Sequence, residues 1–365
     1  MKLTAAREEL LSPLQSVIGV VERRQTMPVL ANVLLSAREN RLNITGTDLE
    51  VELVATSMVS VQQGGDITVP GRKLLDIFRS LPEKVSVTLS TEGERISIKA
   101  GKSRFTLSTL PAAEFPLVEE INAQQTLTVA QGEFRRLIDK THFSMAQQDV
   151  RYYLNGLLLE TEGSSLRAVA TDGHRLALCE MTLEEKAKTN QQVIVPRKGV
   201  LELQRILGSE STVELAIGTN HVRAQIGAIR FTSKLIDGRF PEYGRVIPAS
   251  PARKVEADRE LLRQALQRTA ILSNEKYRGI KLALKTNLMT IMAHNPEQEE
   301  AEEEIEVAYP GDALEVGFNV NYLLDALAAV EGAEVEIGLT DSNSSCLLRA
   351  PGSGSAKYVV MPMRL

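Results

Sequence analysis

The residues best suited to chemistry are Thr171-Asp172-Gly173-His174-Arg175, where a carboxylate and an imidazole stand two positions apart. Acid–base catalysis needs such groups aimed at one reacting atom. One Asp beside one His in a turn is a weak signal for it, and a structural or peptide-binding loop is the competing reading. Gly101-Lys102-Ser103 resembles the end of a phosphate-binding loop, but that pattern needs a glycine where Ile96 stands, so the cradle is missing. His142, His174, His221 and His294 have no ligand spacing, which argues against zinc. Glu297, Glu299, Glu300, Glu302, Glu303 and Glu304 lack the alternating Asp, Asn and Gly of a calcium loop. Cys179 and Cys346, each in an apolar stretch, read as buried free thiols. No active site assembles, and neither metal nor cofactor is expected.

The elements that position these residues repeat three times. Asn32-Val33-Leu34-Leu35 leading to Leu42-Asn43-Ile44-Thr45-Gly46-Thr47-Asp48 recurs as Asn155-Gly156-Leu157-Leu158 leading to Leu166-Arg167-Ala168-Val169-Ala170-Thr171-Asp172. Val69-Pro70 before Leu74-Leu75 recurs as Val195-Pro196 before Val200-Leu201, and more distantly as Phe318-Asn319 before Leu323-Leu324. Arg104-Phe105-Thr106 with Phe115-Pro116 recurs as Arg230-Phe231-Thr232 with Phe240-Pro241. The separation from Thr47 to Thr171, 124 residues, is a domain length rather than a solenoid period. The 365 residues therefore divide into domains at 1–124, 125–252 and 253–365, with linkers near Glu119 to Gln125 and Pro248 to Arg253.

Each repeat opens with a helix, read from Leu10, Leu14, Val17 and Val21 and from their counterparts Phe134, Leu137, Ile138 and Leu262, Ala265, Leu266. Alternating strands follow at Leu42 and Ile44 and at Val51, Leu53 and Ala55. A second helix and hairpins turning at Thr91-Glu92-Gly93, Gly218-Thr219-Asn220 and Asp341-Ser342-Asn343 complete the unit. The fold class is α+β, three tandem domains of two helices and antiparallel sheets each. No apolar run reaches the ~20 residues of a membrane span, and Met1-Lys2-Leu3-Thr4 opens no secretory signal, so no membrane and a cytoplasmic location are expected. The net charge of −5 conceals an acidic third repeat, a first repeat with Arg95, Lys99, Lys102 and Arg104 around Phe105, and basic residues on the helices. Opposite ends of opposite sign can join head to tail and close a ring. Basic helices suit a polyanion met on one face.

Gln147-Gln148-Asp149-Val150-Arg151-Tyr152-Tyr153-Leu154-Asn155-Gly156, Thr171-Asp172-Gly173-His174-Arg175-Leu176, Asn295-Pro296-Glu297-Gln298-Glu299-Glu300-Ala301-Glu302-Glu303 and the ending Val359-Val360-Met361-Pro362-Met363-Arg364-Leu365 resemble the bacterial beta sliding clamps of DNA polymerase III. The resemblance spans the chain. It implies a head-to-tail homodimer, a ring of six domains around double-stranded or primed DNA, without catalysis. Twelve helices of about 10 Å diameter would enclose a hole on the order of 28 Å. The implied partners are the polymerase catalytic subunit, an ATP-driven clamp loader and other proteins carrying a clamp-binding motif.

Carried over by motif, the DNA contacts are Arg24, Arg72, Arg79, Gln148, Tyr152, Tyr153, Arg197, Lys198 and Arg205. The implied partner-peptide pocket comprises Leu154, Thr171, Gly173, His174, Arg175, Leu176, Pro241, Arg245, Val246, Tyr277, Asn319, Tyr322, Asn343, Ser345, Val359, Val360, Met361, Pro362, Met363 and Arg364. The implied dimer junction sets Lys73, Arg95, Lys99, Lys102, Arg104 and Phe105 against Ile271, Leu272, Glu299, Glu302 and Glu303. An enzyme using Asp172 and His174, and a sequence-specific DNA-binding protein, are the competing functions.

Overall fold

A computed structural model describes residues 1–22, 27–118 and 121–364, so Arg24 lies outside the described residues. Contacts divide the chain into two compact units, 1–135 with 198–235, and 136–197 with 236–365.

The first unit holds a five-stranded sheet in the order Ser60–Gln63, Lys2–Ala6, Ser86–Glu92, Arg95–Ala100 and Ser103–Ser108. Its eight-stranded sheet runs Gln125–Ala130, Thr212–Ile217, His221–Ile226, Ile229–Lys234, Val51–Met58, Arg41–Thr47, Asn32–Arg38 and Gly65–Pro70. The antiparallel ladder pairing Phe231 with Leu53 and Ser233 with Val51 joins strands of the first and second repeats. Hydrogen bonding thus continues where the sequence repeat ends. Helices α1 (Arg7–Val17) and α2 (Gly71–Ser80) pack together and bury Leu10, Leu14, Val17, Leu74, Leu75 and Phe78. Glu9 accepts from the Ala6 N–H at 2.8 Å and so holds the first turn of α1. Val21, expected on that helix, lies beyond its end and a following 3₁₀ turn, yet is buried.

Helices α3 (Gln131–Asp139) and α4 (Arg197–Ile206) belong to the central repeat. The second unit holds an eight-stranded sheet in the order Gln191–Pro196, Gly156–Glu162, Ser165–Thr171, Arg175–Thr182, Ala356–Val360, Cys346–Arg349, Glu334–Leu339 and Arg253–Asp258. A four-stranded sheet runs Glu300–Glu306, Leu288–His294, Gly279–Lys285 and Leu314–Asn319. Helix α5 (Arg259–Thr269) is capped by Asp258, which accepts from the Leu261 N–H at 2.8 Å. Helix α6 (Val320–Ala329) is capped by Asn319, which accepts from the Asn321 N–H at 2.9 Å.

The alternation expected along Val51–Ala55 does not appear. Glu52 and Val54 are buried as well, because this central strand is covered on both faces. Gln125 and Arg253, expected in linkers, each begin a strand. Cys179 and Cys346 are both buried thiols rather than disulfide partners.

Candidate functional site

The loop between strands Ser165–Thr171 and Arg175–Thr182 is built by its own side chains. The Thr171 hydroxyl donates to the Arg175 carbonyl at 2.6 Å and accepts from the Gly173 N–H at 3.1 Å. Asp172 Oδ1 accepts from the His174 and Arg175 N–H groups at 2.9 and 3.0 Å, and its Oδ2 accepts from Arg175 Nε at 3.1 Å. Both carboxylate oxygens are therefore engaged as turn caps rather than poised as a base toward the His174 ring. Gly173 has φ +88°, and a Cβ there would approach the Arg151 guanidinium to 2.9 Å. Gly173→Ala should lower stability by about 1–2 kcal/mol through backbone strain, readable as a fall in thermal midpoint.

Arg175 is a strut. Its guanidinium donates to the Phe143 carbonyl at 2.8 Å, bonds Asp325 of α6 and lies 4.6 Å from the Tyr322 ring centroid. The ring of His174 stacks on Tyr322 at 6.5 Å. Burial, then the Asp172 charge, pushes the Tyr322 phenol up, so it remains a neutral donor. Phe143 and Asp325, absent from the expected set, hold this cluster in place. No local pattern in the sequence points to Asp325, since its partner lies 150 positions away.

The chain's end closes the other side. Arg175 pairs with Val360 and Leu176 with Val359 in the ladder, and Cys346 pairs with Val360 beyond them. The Met361 N–H then donates to the His174 carbonyl and the Met363 N–H to the Gly317 carbonyl, both at 2.9 Å. Leu176 and Val359 are buried in one cluster with Leu158, Val169, Leu178, Ile194, Phe240 and Leu347, against which Tyr153, Tyr243 and Ile247 pack. Val246 and Met361 stand 41% exposed. Ser345 donates to the Val246 carbonyl at 3.2 Å, and Asn319 Nδ2 to the Tyr277 carbonyl at 3.2 Å. Leu154 is buried, whereas Pro241, Arg245, Asn343 and Arg364 are exposed and Pro362 is half-buried. Arg245 pairs with Glu242 at 2.6 Å. The result is a buried aliphatic floor with an exposed apolar rim and polar ends.

The expected DNA contacts have unequal surroundings. On α2, Arg72 and Arg79 are exposed, and Arg72 also donates to the Val21 carbonyl at 3.1 Å. Lys198 is held by Glu22 and by Asp48, the latter at 2.5 Å, and Arg205 by Glu202 at 2.7 Å and the Ser16 carbonyl. These pairings mute the charge that Lys198 and Arg205 offer to phosphate. Arg197 donates to the Met145 carbonyl at 3.4 Å. Gln148 is exposed at φ +55°, in a loop fastened by Asp149, which is held at about pKa 2 by its hydrogen bonds from Arg151. Tyr152 is 58% exposed while Tyr153 is half-buried, so only Tyr152 offers a free face.

Two strand edges carry opposite charge. Ser103–Ser108 ends the five-stranded sheet, and Lys99 sits directly opposite Arg104 across its last ladder. Like charges facing each other cost stability, and Lys99, Lys102 and Arg104 make no ion pair among the described residues. Glu300–Glu306 ends the four-stranded sheet. Glu302 is exposed, but Glu303 is bound by Arg268 of α5, whose hydrogen bonds hold its carboxyl below the ordinary range. Ile271 nearby in sequence is 75% exposed and Leu272 half-buried.

Comparison with known proteins covers the whole chain. The N-terminal, central and C-terminal domains of the DNA polymerase III beta subunit match residues 1–119, 128–242 and 244–364. The beta sliding clamp of Pseudomonas aeruginosa is 55% identical, and that of Escherichia coli 52% identical, each over 367 aligned positions covering all of both chains. The crystal structure of the Pseudomonas aeruginosa beta subunit has a TM-score of 0.98 at 54% identity, again over 100% of both chains. A sliding clamp of the same organism bound to griselimycin gives 0.97 at 55%, with the same coverage. With three successive domains matched and full-length relatives above half identity, the chain belongs to the family of the DNA polymerase III beta subunit, the non-catalytic beta sliding clamps.

Proposed function

We propose that two copies of this chain join head to tail into a ring that encircles duplex DNA and tethers the polymerase catalytic subunit. The observation that carries this reading is family membership over the entire length. Three clamp domains, 1–124, 125–252 and 253–365, would each supply one sixth of the ring. The cations beside Ser103–Ser108, which make no ion pair among the described residues, give an acidic edge something to neutralise, which supports a junction with Glu300–Glu306 of a second copy. Phe105, Ile271 and Leu272 would supply its apolar part. The ring acts in the cytoplasm, placed on DNA by an ATP-driven loader and shared among proteins that carry a clamp-binding motif.

Sliding requires attraction without register. A base contact worth about 1–3 kcal/mol would trap the ring at its site, whereas Arg72 and Arg79 on an exposed helix face would meet phosphate alone. Arg79→Ala combined with Gln148→Ala should weaken binding to primed DNA equally for duplexes of different sequence. The salt slope should fall by about 0.9, the value of one phosphate contact. Loss that depended on base sequence would favour a sequence-specific binder instead.

The groove around Leu176, Val246, Val360 and Met361 is the reading's second part: a site for a short peptide with a glutamine and a few hydrophobic residues. Arg175 acts there as a positioning residue, through Tyr322 and Asp325.

A further inference from the structure

The first repeat builds the same loop as the groove, and there it borders a separate cavity. The Thr47 hydroxyl donates to the Val51 carbonyl at 2.9 Å and accepts from the Leu49 N–H at 3.1 Å. Asp48 Oδ1 accepts from the Glu50 and Val51 N–H groups at 2.9 and 2.7 Å. This is the bonding pattern of Thr171 and Asp172. The ladder continues the correspondence: Val51 pairs with Ser233 as Arg175 pairs with Val360, which puts Lys234 in the place of Met361. His221, one residue before the partner of Ser233, corresponds to Ser345. Thr47, Leu49, Pro116, Leu117, His221 and Lys234 line a cavity of about 240 Å³.

Leu49 departs from its counterpart in a telling way. It holds φ +78°, where Gly173 has φ +88°. A left-handed backbone is an outlier for a bulky side chain, so leucine is kept where glycine would sit without strain. Its side chain is not serving the core, because Leu49 is 41% exposed and Leu117 beside the same cavity is 62% exposed. The wall is fixed beforehand: the Val118 N–H donates to buried Glu52 at 3.0 Å. Lys234 is exposed and makes no ion pair among the described residues, while the nearby Asp48 carboxylate is engaged by Lys198.

We infer that this cavity is a second peptide site on the ring. It would take a linear segment of a partner protein whose aliphatic side chain enters between Leu49 and Leu117 and whose neighbouring carboxylate pairs with Lys234. The ligand class rests on the peptide reading of the groove; the charge preference rests on Lys234.

Full-length protein labelled at leucine, valine and methionine methyls would be titrated with acetyl-Leu-Leu-Asp-Glu amide, with the Asp and Glu exchanged for two lysines, and with acetyl-leucine. The acidic peptide should shift the Leu49 and Leu117 methyls saturably and the basic one should not. Lys234→Glu should weaken that binding about fivefold, the upper range for an exposed ion pair. Leu49→Gly relieves the backbone strain and keeps the fold, yet should remove the saturable response. Met361 reports the groove separately with a glutamine-containing hydrophobic peptide, so failure there and failure at Leu49 are distinguishable. Equal shifts from acidic and basic peptides, or full affinity in Leu49→Gly, would overturn the assignment. Binding of acetyl-leucine as tight as the tetrapeptide would make this a small-molecule site and overturn it as well.

Discussion

Deleting Met361 to Leu365 should weaken partner-peptide binding about a hundredfold and remove polymerase stimulation while leaving the dimer intact. The deleted segment is fastened by the Met361 and Met363 N–H groups to the His174 and Gly317 carbonyls, so it forms part of the groove rather than a loose end. Met361 is exposed next to buried Val359 and Val360, leaving a methionine wall that can adapt to different side chains. Two or three peptide side chains buried at about 1.5–3 kcal/mol each, less the cost of ordering a flexible chain, leave an affinity near micromolar. Losing one wall should weaken it about a hundredfold, ~2.7 kcal/mol. Fluorescence polarisation with a labelled peptide measures the loss, and sedimentation of the same truncation tests the dimer. Full peptide affinity after truncation would place the partner site elsewhere.

Charge reversal at Glu299, Glu302 and Glu303 together should yield monomers at low micromolar concentration. Lys99, Lys102 and Arg104 would then face lysines instead of carboxylates across the junction, adding repulsion to a surface that already sets Lys99 opposite Arg104. Raising salt on the wild type should loosen the dimer in the same direction, because the Debye length falls to about 3 Å at 1 M. Glu303 needs a control, since its reversal also strands Arg268 within the subunit. Glu303→Gln alone should leave both the thermal midpoint and the dimer nearly unchanged, as exposed pairs contribute little. An unchanged sedimentation coefficient in the triple variant would remove this junction.

The sequence made the repeated architecture legible because short-range periodicity carries it. The turns at Gly218-Thr219-Asn220 and Asp341-Ser342-Asn343 and the six helices lie where the pattern of apolar residues puts them. The turn expected at Thr91-Glu92-Gly93 falls instead at Gly93-Glu94, because Thr91 and Glu92 still pair with Ile96 and Arg95. Which strands join across repeats was not legible. The pairings of Phe231 with Leu53 and of Leu176 with Val359 link positions 178 and 183 residues apart, and no local period encodes them. Single-residue roles were blurred for a related reason. Arg175 looked available to a ligand until Asp325 and Phe143 appeared as its partners, and Lys198 looked available to phosphate until Glu22 and Asp48 did. A cation's usefulness depends on its unbonded surroundings, which only the fold supplies. Leu49 is the reverse case: an ordinary leucine in the sequence, it became informative through its backbone angle.

Encirclement is the central claim, and topology tests it more directly than affinity. The loaded protein would be placed on nicked circular DNA by an ATP-driven loader and passed through gel filtration at a salt concentration that removes ordinary phosphate contacts. It should co-elute with the circle and be lost once a single cut linearises the same DNA, because a ring can slide off an end. Equal retention on circle and line, or equal loss from both, would mean that the protein binds the side of the duplex and does not surround it.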